Sequence, residues 1–345
     1  MNQGRVRVVI TSPLESEFVE RISTVDSRLE VVYPSGLIPL MRYPADHAAP
    51  NPRDPEELAA WRSLLEPAEA LFDFGPRPLQ SELAALPHLR WIQATSAGVG
   101  QFALRIGLNS SRIIVTTASG VHARPLAEFT LMAMLMFGKG AFGMLADQKA
   151  HHWQRYAGEE LAGKVVGIVG VGRIGREVAR VARCLDAYVV GMVRSVGTRT
   201  AEELHLDRLV PIADLDGLLP ELDFLVLSCP HTPETEGLIN AGRLAKLKSR
   251  AVLINLARGA IVDESAMIAA LQAGKLAGAA LDVLAKEPPG PDSPLWDMPN
   301  VLISPHSAST TTSENGKITD LFCDNLRRYL EGRPLRNVLN YALLY

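Results

Sequence analysis

The sequence predicts an α/β fold of two doubly wound parallel-sheet domains, and two observations support this prediction. Short apolar segments alternate with amphipathic helical patterns along most of the chain, and such alternation is typical of parallel sheets. The chain has 345 residues, of which 47% are hydrophobic, and this is enough for two buried cores.

Five strand candidates lie before residue 118, at 6–11, 29–33, 70–74, 91–95 and 113–117. Helical patterns separate them, for example at 56–65 and 79–86. Segment 34–55 contains six prolines, and proline has no backbone N–H for regular hydrogen bonding. We therefore expect an irregular excursion over the surface in this segment. Its composition does not indicate a function.

The strand candidate at 164–169 runs directly into a G-x-G-x-x-G motif formed by Gly170, Gly172 and Gly175. In such a motif the first glycine allows a tight turn, the second lets the backbone approach a pyrophosphate, and the third lets a helix lie close to the sheet. The first helical residues, Arg173 and Ile174, direct N–H groups and the positive end of the helix dipole toward the phosphates. An isolated glycine motif often marks only a turn, but here a helical pattern and a second strand at 187–193 complete the unit. The sequence therefore predicts a dinucleotide site.

The end of that second strand lacks the carboxylate that would hydrogen-bond the ribose hydroxyls of NAD, and Val193, Arg194 and Ser195 stand there instead. A carboxylate would repel a 2′-phosphate, whereas Arg194, with Arg199 as a second candidate, can pair with one. We therefore expect NADP to be preferred over NAD. The alternative is that Arg194 is only a solvated loop residue.

Four more strand candidates, at 224–228, 251–256, 277–283 and 301–304, extend the nucleotide-binding sheet to about six strands. The last 40 or so residues read as one amphipathic helix that starts after Thr312 or Ser313 and ends before Gly332. This tail is too short to fold alone, so we expect it to pack on the first domain. The expected organisation is a flavodoxin-like substrate domain, residues 1–118 and 306–345, with a Rossmann cofactor domain, residues 119–305, inserted in it.

Composition excludes several other classes of protein. The formal net charge of −3 gives no basic field for nucleic acid or an anionic membrane. The apolar run 129–137 is too short to span a bilayer, and the first residues lack the pattern of a signal peptide. The three cysteines, Cys184, Cys229 and Cys323, are widely separated and have no metal-ligand spacing. We expect a cytoplasmic protein with no metal site.

Three ionisable residues follow apolar strand candidates in the second half of the chain: Arg258, Glu287 and His306. Because the carboxyl ends of parallel strands meet at one edge of a sheet, we expect these side chains to converge. Hydride addition to a ketone builds negative charge on oxygen, and a protonated imidazole can neutralise it. A nearby carboxylate favours the charged imidazole, and a guanidinium can hold a substrate carboxylate in a planar fork. Taken singly, Glu287 and His306 could equally be ordinary loop residues.

With these residues in view, the chain resembles the D-isomer-specific 2-hydroxyacid dehydrogenases. The resemblance is dense over 161–306, through the glycine motif and the segments 229–239, 255–264 and 294–301, and thinner upstream at 96–99, 118–121 and 127–128. It implies that Arg258, Glu287 and His306 are the catalytic residues. It also implies that Ala97, Gly98 and Val99 bind the substrate carboxylate through backbone N–H groups and that Phe74 lines the substrate pocket. The further cofactor-binding residues that it implies are Cys229, Pro230, Thr235, Ala257 and Asp282.

The resemblance further implies a homodimer with the helix from about Arg124 to Phe137 in its interface. The expected activity is NAD(P)H-dependent reduction of a small 2-oxo acid, such as glyoxylate or hydroxypyruvate, to the D-2-hydroxy acid. The first 95 residues match the family poorly, so the choice of 2-oxo acid and the physiological direction stay open. We expect no appended regulatory domain of the kind found in some phosphoglycerate dehydrogenases. Two alternatives are an NAD(H)-sensing, corepressor-like interaction protein on the same scaffold and a dehydrogenase for a bulkier 2-oxo acid.

Overall fold

The computed structural model describes residues 4–49 and 53–344. Two prolines of the proline-rich excursion, Pro50 and Pro52, lie outside the described residues, as do residues 1–3 and 345 of the predicted substrate domain. The chain divides into two compact units. Unit 1 contains residues 1–122 and 310–345, and unit 2 contains residues 123–309. The assignment of one unit to substrate and the other to cofactor stays a prediction.

Unit 1 is built on a five-stranded parallel sheet. Its strands are β1 Val6–Ile10, β2 Leu29–Val32, β3 Ala70–Phe72, β4 Trp91–Gln93 and β5 Ile114–Thr116. Their order is β2-β1-β3-β4-β5, which is the flavodoxin-like arrangement. Its helices are Ser16–Ser23, Pro55–Leu65, Gly100–Arg105 and Glu314–Leu330.

The sheet of unit 1 has a core on each face because strand side chains alternate in direction. Leu71 packs with Trp61 in one core, while Phe72 belongs to the other core. There the Phe322 ring, from the C-terminal helix, lies 5.2 Å from the Phe72 ring and 5.0 Å from the Trp91 ring. The tail therefore packs against the sheet of unit 1.

Unit 2 is built on a seven-stranded sheet, also entirely parallel. Its strands are β6 Val165–Val169, β7 Tyr188–Val193, β8 Arg208–Pro211, β9 Phe224–Leu227, β10 Val252–Asn255, β11 Gly278–Leu281 and β12 Val301–Ile303. The order is β12-β11-β10-β9-β6-β7-β8, so the strand order reverses between β9 and β6 as in a Rossmann sheet. The predicted fold class is confirmed.

The helices of unit 2 are Ala123–Gly138, Ala141–Lys149, Arg173–Arg183, Leu215–Leu218, Ala241–Leu244 and Glu264–Gln272. Within the described residues no single helix is long and apolar enough to cross a membrane, although the first two helices, bent by 65° at their junction, pass that test as a pair. Leu126, Ala133 and Met134 on the first of them are buried in a core of unit 2.

The structure corrects two predictions about individual elements. The sheet of unit 2 has a seventh strand, β8, which was missed because it is a four-residue edge strand that starts at exposed Arg208 and ends at Pro211. The predicted helix at 79–86 is instead a 3-10 segment, Arg77–Ala85. In the proline-rich excursion one 3-10 turn, Ser35–Leu37, precedes the helix that begins at Pro55.

Candidate active site

The glycine motif forms a tight turn between β6 and the helix Arg173–Arg183. Gly170 has a φ of +91°, and a Cβ there would lie 2.6 Å from the Cα of Cys229. A Cβ on Gly175 would lie 2.3 Å from the carbonyl oxygen of Gly170. At Gly172, by contrast, a Cβ would meet no atom within 4 Å. The turn is closed on the protein side and open at Gly172, where a pyrophosphate would approach, so these residues fit a dinucleotide.

Two alanine substitutions should separate the packing role of this turn from its binding role. We expect Gly175→Ala to lower the Tm, because overpacking against a backbone oxygen destabilises by about 1–3 kcal/mol. Gly172→Ala should leave the Tm near the wild-type value but raise the Kd for NADPH, since its Cβ would occupy the open side. Thermal unfolding and fluorescence titration of both variants test this. Unchanged NADPH binding in Gly172→Ala would contradict the placement of the pyrophosphate.

The other cofactor candidates follow the neighbouring strands of unit 2. Arg194 and Ser195 are exposed after β7, and Ala257 is buried after β10. After β9, the Thr235 hydroxyl donates to the Pro230 carbonyl at 2.8 Å. Burial raises the pKa of the Cys229 thiol to about 11, so this side chain is a neutral, apolar wall at neutral pH.

Asp282 is buried after β11 and supports the loop that follows β12. Its Oδ1 accepts hydrogen bonds from the Ser304 hydroxyl at 2.8 Å and from the Ala308 N–H at 2.9 Å. The Asp282 carbonyl accepts from the His306 N–H at 3.0 Å. The cofactor role predicted for Asp282 stays a prediction, while the structure gives this side chain a supporting role that the sequence did not indicate.

The structure brings Glu287 and His306 together. Nδ1 of His306 lies 2.7 Å from Oε2 of Glu287, while the other carboxylate oxygen accepts the Leu284 N–H at 3.0 Å. His306 has a φ of +53°, a conformation in which few residues other than glycine, Asn, Asp and His are found. Its N–H is shared between the Asp282 carbonyl at 3.0 Å and the Ser304 carbonyl at 2.9 Å. Within the described residues Nε2 of His306 has no hydrogen-bond partner, so this nitrogen is available to a ligand.

Arg258 lies on the adjacent loop, after β10. One guanidinium nitrogen donates to the Ala257 carbonyl at 2.6 Å. A Cβ on the next residue, Gly259, would lie 2.0 Å from the Leu284 carbonyl, so glycine is needed where the loops after β10 and β11 touch. Burial lowers the pKa of Arg258, and the charges of Glu287 and Asp282 oppose this shift. Arg258 therefore stays a cation beside the Glu287 carboxylate.

The electrostatics of the pair favour a charged imidazole. The hydrogen bond to Glu287 raises the pKa of His306 above its ordinary value of 6.5, although burial and Arg258 act in the opposite direction. For Glu287, burial acts to raise the pKa, but the hydrogen bonds from His306 and Leu284 outweigh it and the pKa is lowered. The side chains of His306 and Glu287 remain 47% and 37% exposed, so the pair is open to a ligand.

This coupling predicts a pH dependence for any reaction in which His306 donates a proton. With a raised pKa, the imidazolium persists above pH 6.5 and is lost as the pH rises through the shifted pKa. Glu287→Gln removes the largest cause of the shift, so the decline of kcat/KM for a reduction should begin at a lower pH. The loss relative to wild type should be larger at pH 8 than at pH 6. Parallel pH profiles of the two proteins would contradict the role of Glu287.

The substrate candidates lie in unit 1. Phe74, after β3, is 6% exposed, and its ring lies 4.9 Å from that of Phe102. Ala97, Gly98 and Val99 follow β4 and lead into the helix Gly100–Arg105, before which Val99 is the last non-helical residue. Their roles toward substrate stay predictions. Across residues 4–49 and 53–344, no group of three or more His, Cys, Asp and Glu side chains is arranged to hold a metal ion.

Many known proteins are similar to this chain, and three of them are described here. The chain is 36% identical over 247 residues to D-3-phosphoglycerate dehydrogenase of Archaeoglobus fulgidus, covering 71% of this chain but only 46% of that protein. It thus spans about half the length of this relative. It is 35% identical over 297 residues to glyoxylate/hydroxypyruvate reductase B of Pectobacterium carotovorum, covering 84% of this chain and 92% of that protein. The fold is similar to that in the crystal structure of an NADPH-dependent glyoxylate/hydroxypyruvate reductase from Sinorhizobium meliloti, determined in complex with NADP and sulfate. The TM-score is 0.80 at 26% sequence identity, and the match covers 99% of this chain and 100% of that one.

The model of one protein family matches residues 131–308, which is more than half of the 345 residues. That model describes the NAD-binding domain of D-isomer specific 2-hydroxyacid dehydrogenases. The matched family is therefore the one that the sequence resembles, and its cofactor class, NAD(P), agrees with the glycine turn. The chain belongs to the D-isomer specific 2-hydroxyacid dehydrogenases, a family of NAD(P)-dependent oxidoreductases.

Proposed function

We propose that this chain reduces a small 2-oxo acid, of the glyoxylate or hydroxypyruvate kind, to the D-2-hydroxy acid at the expense of NADPH. The observation that carries the proposal is the contact between His306 and Glu287, in which Nδ1 lies 2.7 Å from Oε2. Both residues follow strands of the sheet that also carries the glycine turn. The names of the Pectobacterium and Sinorhizobium relatives support this substrate class. The relatives compared are enzymes and do not favour the corepressor-like alternative.

In this proposal each of the three candidate catalytic residues, Arg258, Glu287 and His306, has a distinct task. The nicotinamide, when bound, supplies the hydride. Nε2 of His306 donates a proton to the carbonyl oxygen as negative charge develops there, and Glu287 holds Nδ1 so that the ring keeps its orientation and its charge. Arg258 binds the substrate carboxylate and polarises the carbonyl. We further propose that backbone N–H groups of Ala97, Gly98 and Val99 bind a substrate carboxylate and that Phe74 lines the substrate pocket.

A panel of 2-oxo acids tests the proposal directly. Glyoxylate, hydroxypyruvate, and branched and aromatic 2-oxo acids are offered with NADPH or NADH, and the loss of absorbance of the reduced cofactor is followed. We expect the highest kcat/KM for the smallest acids. Absence of turnover with every acid and both cofactors would refute the proposed function, and preference for a branched or aromatic acid would refute the substrate class.

We propose that Arg194 gives the preference for NADPH. Its exposed side chain follows β7, and it has no hydrogen-bond partner within the described residues. Arg199 differs, because its guanidinium donates to the backbone carbonyls of Ser195 and Val196. The Sinorhizobium relative, whose structure contains NADP, supports the use of NADPH.

Arg194→Ala should lower kcat/KM for NADPH by roughly 10- to 100-fold and leave that for NADH nearly unchanged, because a charge-assisted hydrogen bond contributes about 1.5–3 kcal/mol. Arg199→Ala is the matched control and should change the NADPH/NADH ratio little. The measurement is steady-state kinetics with each cofactor. An unchanged ratio in Arg194→Ala would reject the role of Arg194.

We also propose a homodimer. The support is a set of exposed apolar side chains on and after the helices Ala123–Gly138 and Ala141–Lys149: Met132, Leu135, Met144, Leu145 and, 94% exposed, Trp153. Large exposed apolar groups of this kind mark interaction surfaces. Multi-angle light scattering tests the assembly, and a monomer mass of 37.4 kDa would contradict it.

A cytoplasmic location is proposed on the cysteines. Cys184, Cys229 and Cys323 are all free thiols, which suits a reducing compartment. Cell fractionation tests this location, and recovery of the protein outside the cytosolic fraction would contradict it.

A further inference from the structure

Segment 337–344 runs along one edge of the five-stranded sheet, and the proposed reaction does not use it. β5 is the edge strand there, and Thr116 of β5 forms an antiparallel bridge with Val338. The Leu339 N–H donates to the Val115 carbonyl at 2.8 Å, and the Leu339 side chain is buried in a core of unit 1. The segment is therefore part of the packed body of unit 1.

A buried asparagine fixes the backbone that leads into this segment. Asn325, on the helix Glu314–Leu330, is fully buried. Its Oδ1 accepts from the Arg336 N–H at 2.8 Å, and its Nδ2 donates to the Arg336 carbonyl at 3.2 Å. The same Nδ2 donates to Oε1 of Gln93, the last residue of β4, at 3.2 Å. The segment is thus tied at its start to the end of β4.

Residues 340–344 form a single turn, called the Leu344 turn below, that Asn340 holds together. The Asn340 carbonyl accepts from the Leu344 N–H at 2.7 Å. The Asn340 Oδ1 accepts from the N–H groups of Ala342 at 2.9 Å and Leu343 at 3.2 Å. One isolated turn of this length is not stable in water. Packing against the rest of unit 1 must therefore stabilise it.

The Leu344 turn packs against Gly100. A Cβ on Gly100 would lie 2.3 Å from the Leu344 carbonyl oxygen and 2.8 Å from the Leu344 Cα, so any side chain would overlap the backbone of the turn. The conformation of Gly100 does not itself require glycine, because this residue begins the α-helix Gly100–Arg105 and has no positive φ. The close approach of the turn is therefore the reason for a glycine at this position.

Gly100 connects the turn to a predicted substrate loop. It directly follows Ala97, Gly98 and Val99 in the chain. Val99 and Leu339 also belong to the same core, so the loop and the segment share side-chain packing. The turn thus covers the point at which the loop ends and the helix begins. A loop that is already held in its binding conformation loses less entropy when a ligand binds.

We propose that the Leu344 turn is a positioning element, which holds the loop after β4 in the conformation whose backbone N–H groups bind the carboxylate of the 2-oxo acid. Gly100 is the residue that permits the contact. The proposal rests on the proposed function for the identity of the ligand. The turn should affect binding of the acid more than turnover, because the three candidate catalytic residues lie on loops of unit 2.

The test measures steady-state kinetics and amide hydrogen exchange on variants of the full chain. Gly100→Ala places a methyl group where the Leu344 backbone lies, although alanine favours the helix itself. We expect the displaced turn to unfold locally, so that the Leu344 amide exchanges about tenfold faster, as for the loss of one hydrogen bond. The KM for the 2-oxo acid should also rise about tenfold, while kcat should change by about threefold at most.

Asn340→Ala removes the side-chain acceptor of the turn and should change both readouts in the same direction by a smaller factor. In the double variant the two effects on KM should be less than additive, because a loosened turn can move away from the added methyl group. Additive effects would show that residue 100 acts on the loop directly and would overturn the proposal.

Gly217→Ala is the matched control. It makes the same substitution in another helix, Leu215–Leu218, where a Cβ would meet no atom within 4 Å, and it should leave both readouts unchanged. A wild-type KM in Gly100→Ala, or a raised KM with wild-type exchange of Leu344, would also overturn the proposal. A wild-type chain that is inactive on all 2-oxo acids would refute the proposed function instead, while the exchange rates would still decide whether the turn depends on glycine at residue 100.

Discussion

Replacing His306 with Asn is expected to lower kcat for 2-oxo acid reduction by roughly 10²–10⁴-fold, the usual contribution of a positioned general acid. The carboxamide cannot supply the proton that the imidazolium donates to the developing alkoxide. Asn is chosen because it tolerates the positive φ of this position, so the bond from the residue 306 N–H to the Asp282 carbonyl is kept. NADPH affinity, measured by fluorescence titration, should stay near the wild-type value.

The chain offers a close control for this substitution. His205 is also an exposed histidine of unit 2, and its backbone is left-handed, with a φ of +58°. Unlike His306, it lies before a strand, β8, and not after one. His205→Asn should keep full kcat. Turnover of His306→Asn within about threefold of wild type would show that the proton comes from another group, since loss of a general acid costs far more than this.

The sequence predicted that Arg258, Glu287 and His306 converge because parallel strands all end at one edge of their sheet. Arg258, Glu287 and His306 are far apart in the chain, yet β10, β11 and β12 are consecutive neighbours, so topology alone brings their loops together. The glycine turn was predicted from its motif, and a φ of +91° at Gly170 and the close contact at Gly175 explain why glycine is needed there. These features are local or follow from strand order, and a single sequence contains them.

The supporting residues could not be predicted in this way, because their partners are distant in the chain and follow no periodic pattern. The sequence does not indicate that Asp282 bonds the backbone at Ala308, or that His47 meets Asn315, a separation of 268 residues.

Arg258→Lys is expected to lower kcat/KM for the 2-oxo acid by roughly 10-fold or more, because loss of one charge-assisted hydrogen bond costs about 1.5–3 kcal/mol. Lysine keeps the positive charge, so the substitution tests geometry: a planar guanidinium can donate two parallel hydrogen bonds to a carboxylate, and an ammonium cannot. The main change should be in the KM for the acid, and the KM for NADPH should change little.

Arg250 provides the matched control, since it precedes β10 whereas Arg258 follows the same strand. Its exposed side chain pairs with Asp223 at 3.0 Å, and Arg250→Lys should leave the kinetics unchanged because it lies at the other end of β10 from the loop that carries Arg258. If Arg258→Lys retained kcat/KM within about twofold of wild type, two parallel hydrogen bonds from Arg258 could not be holding the substrate carboxylate.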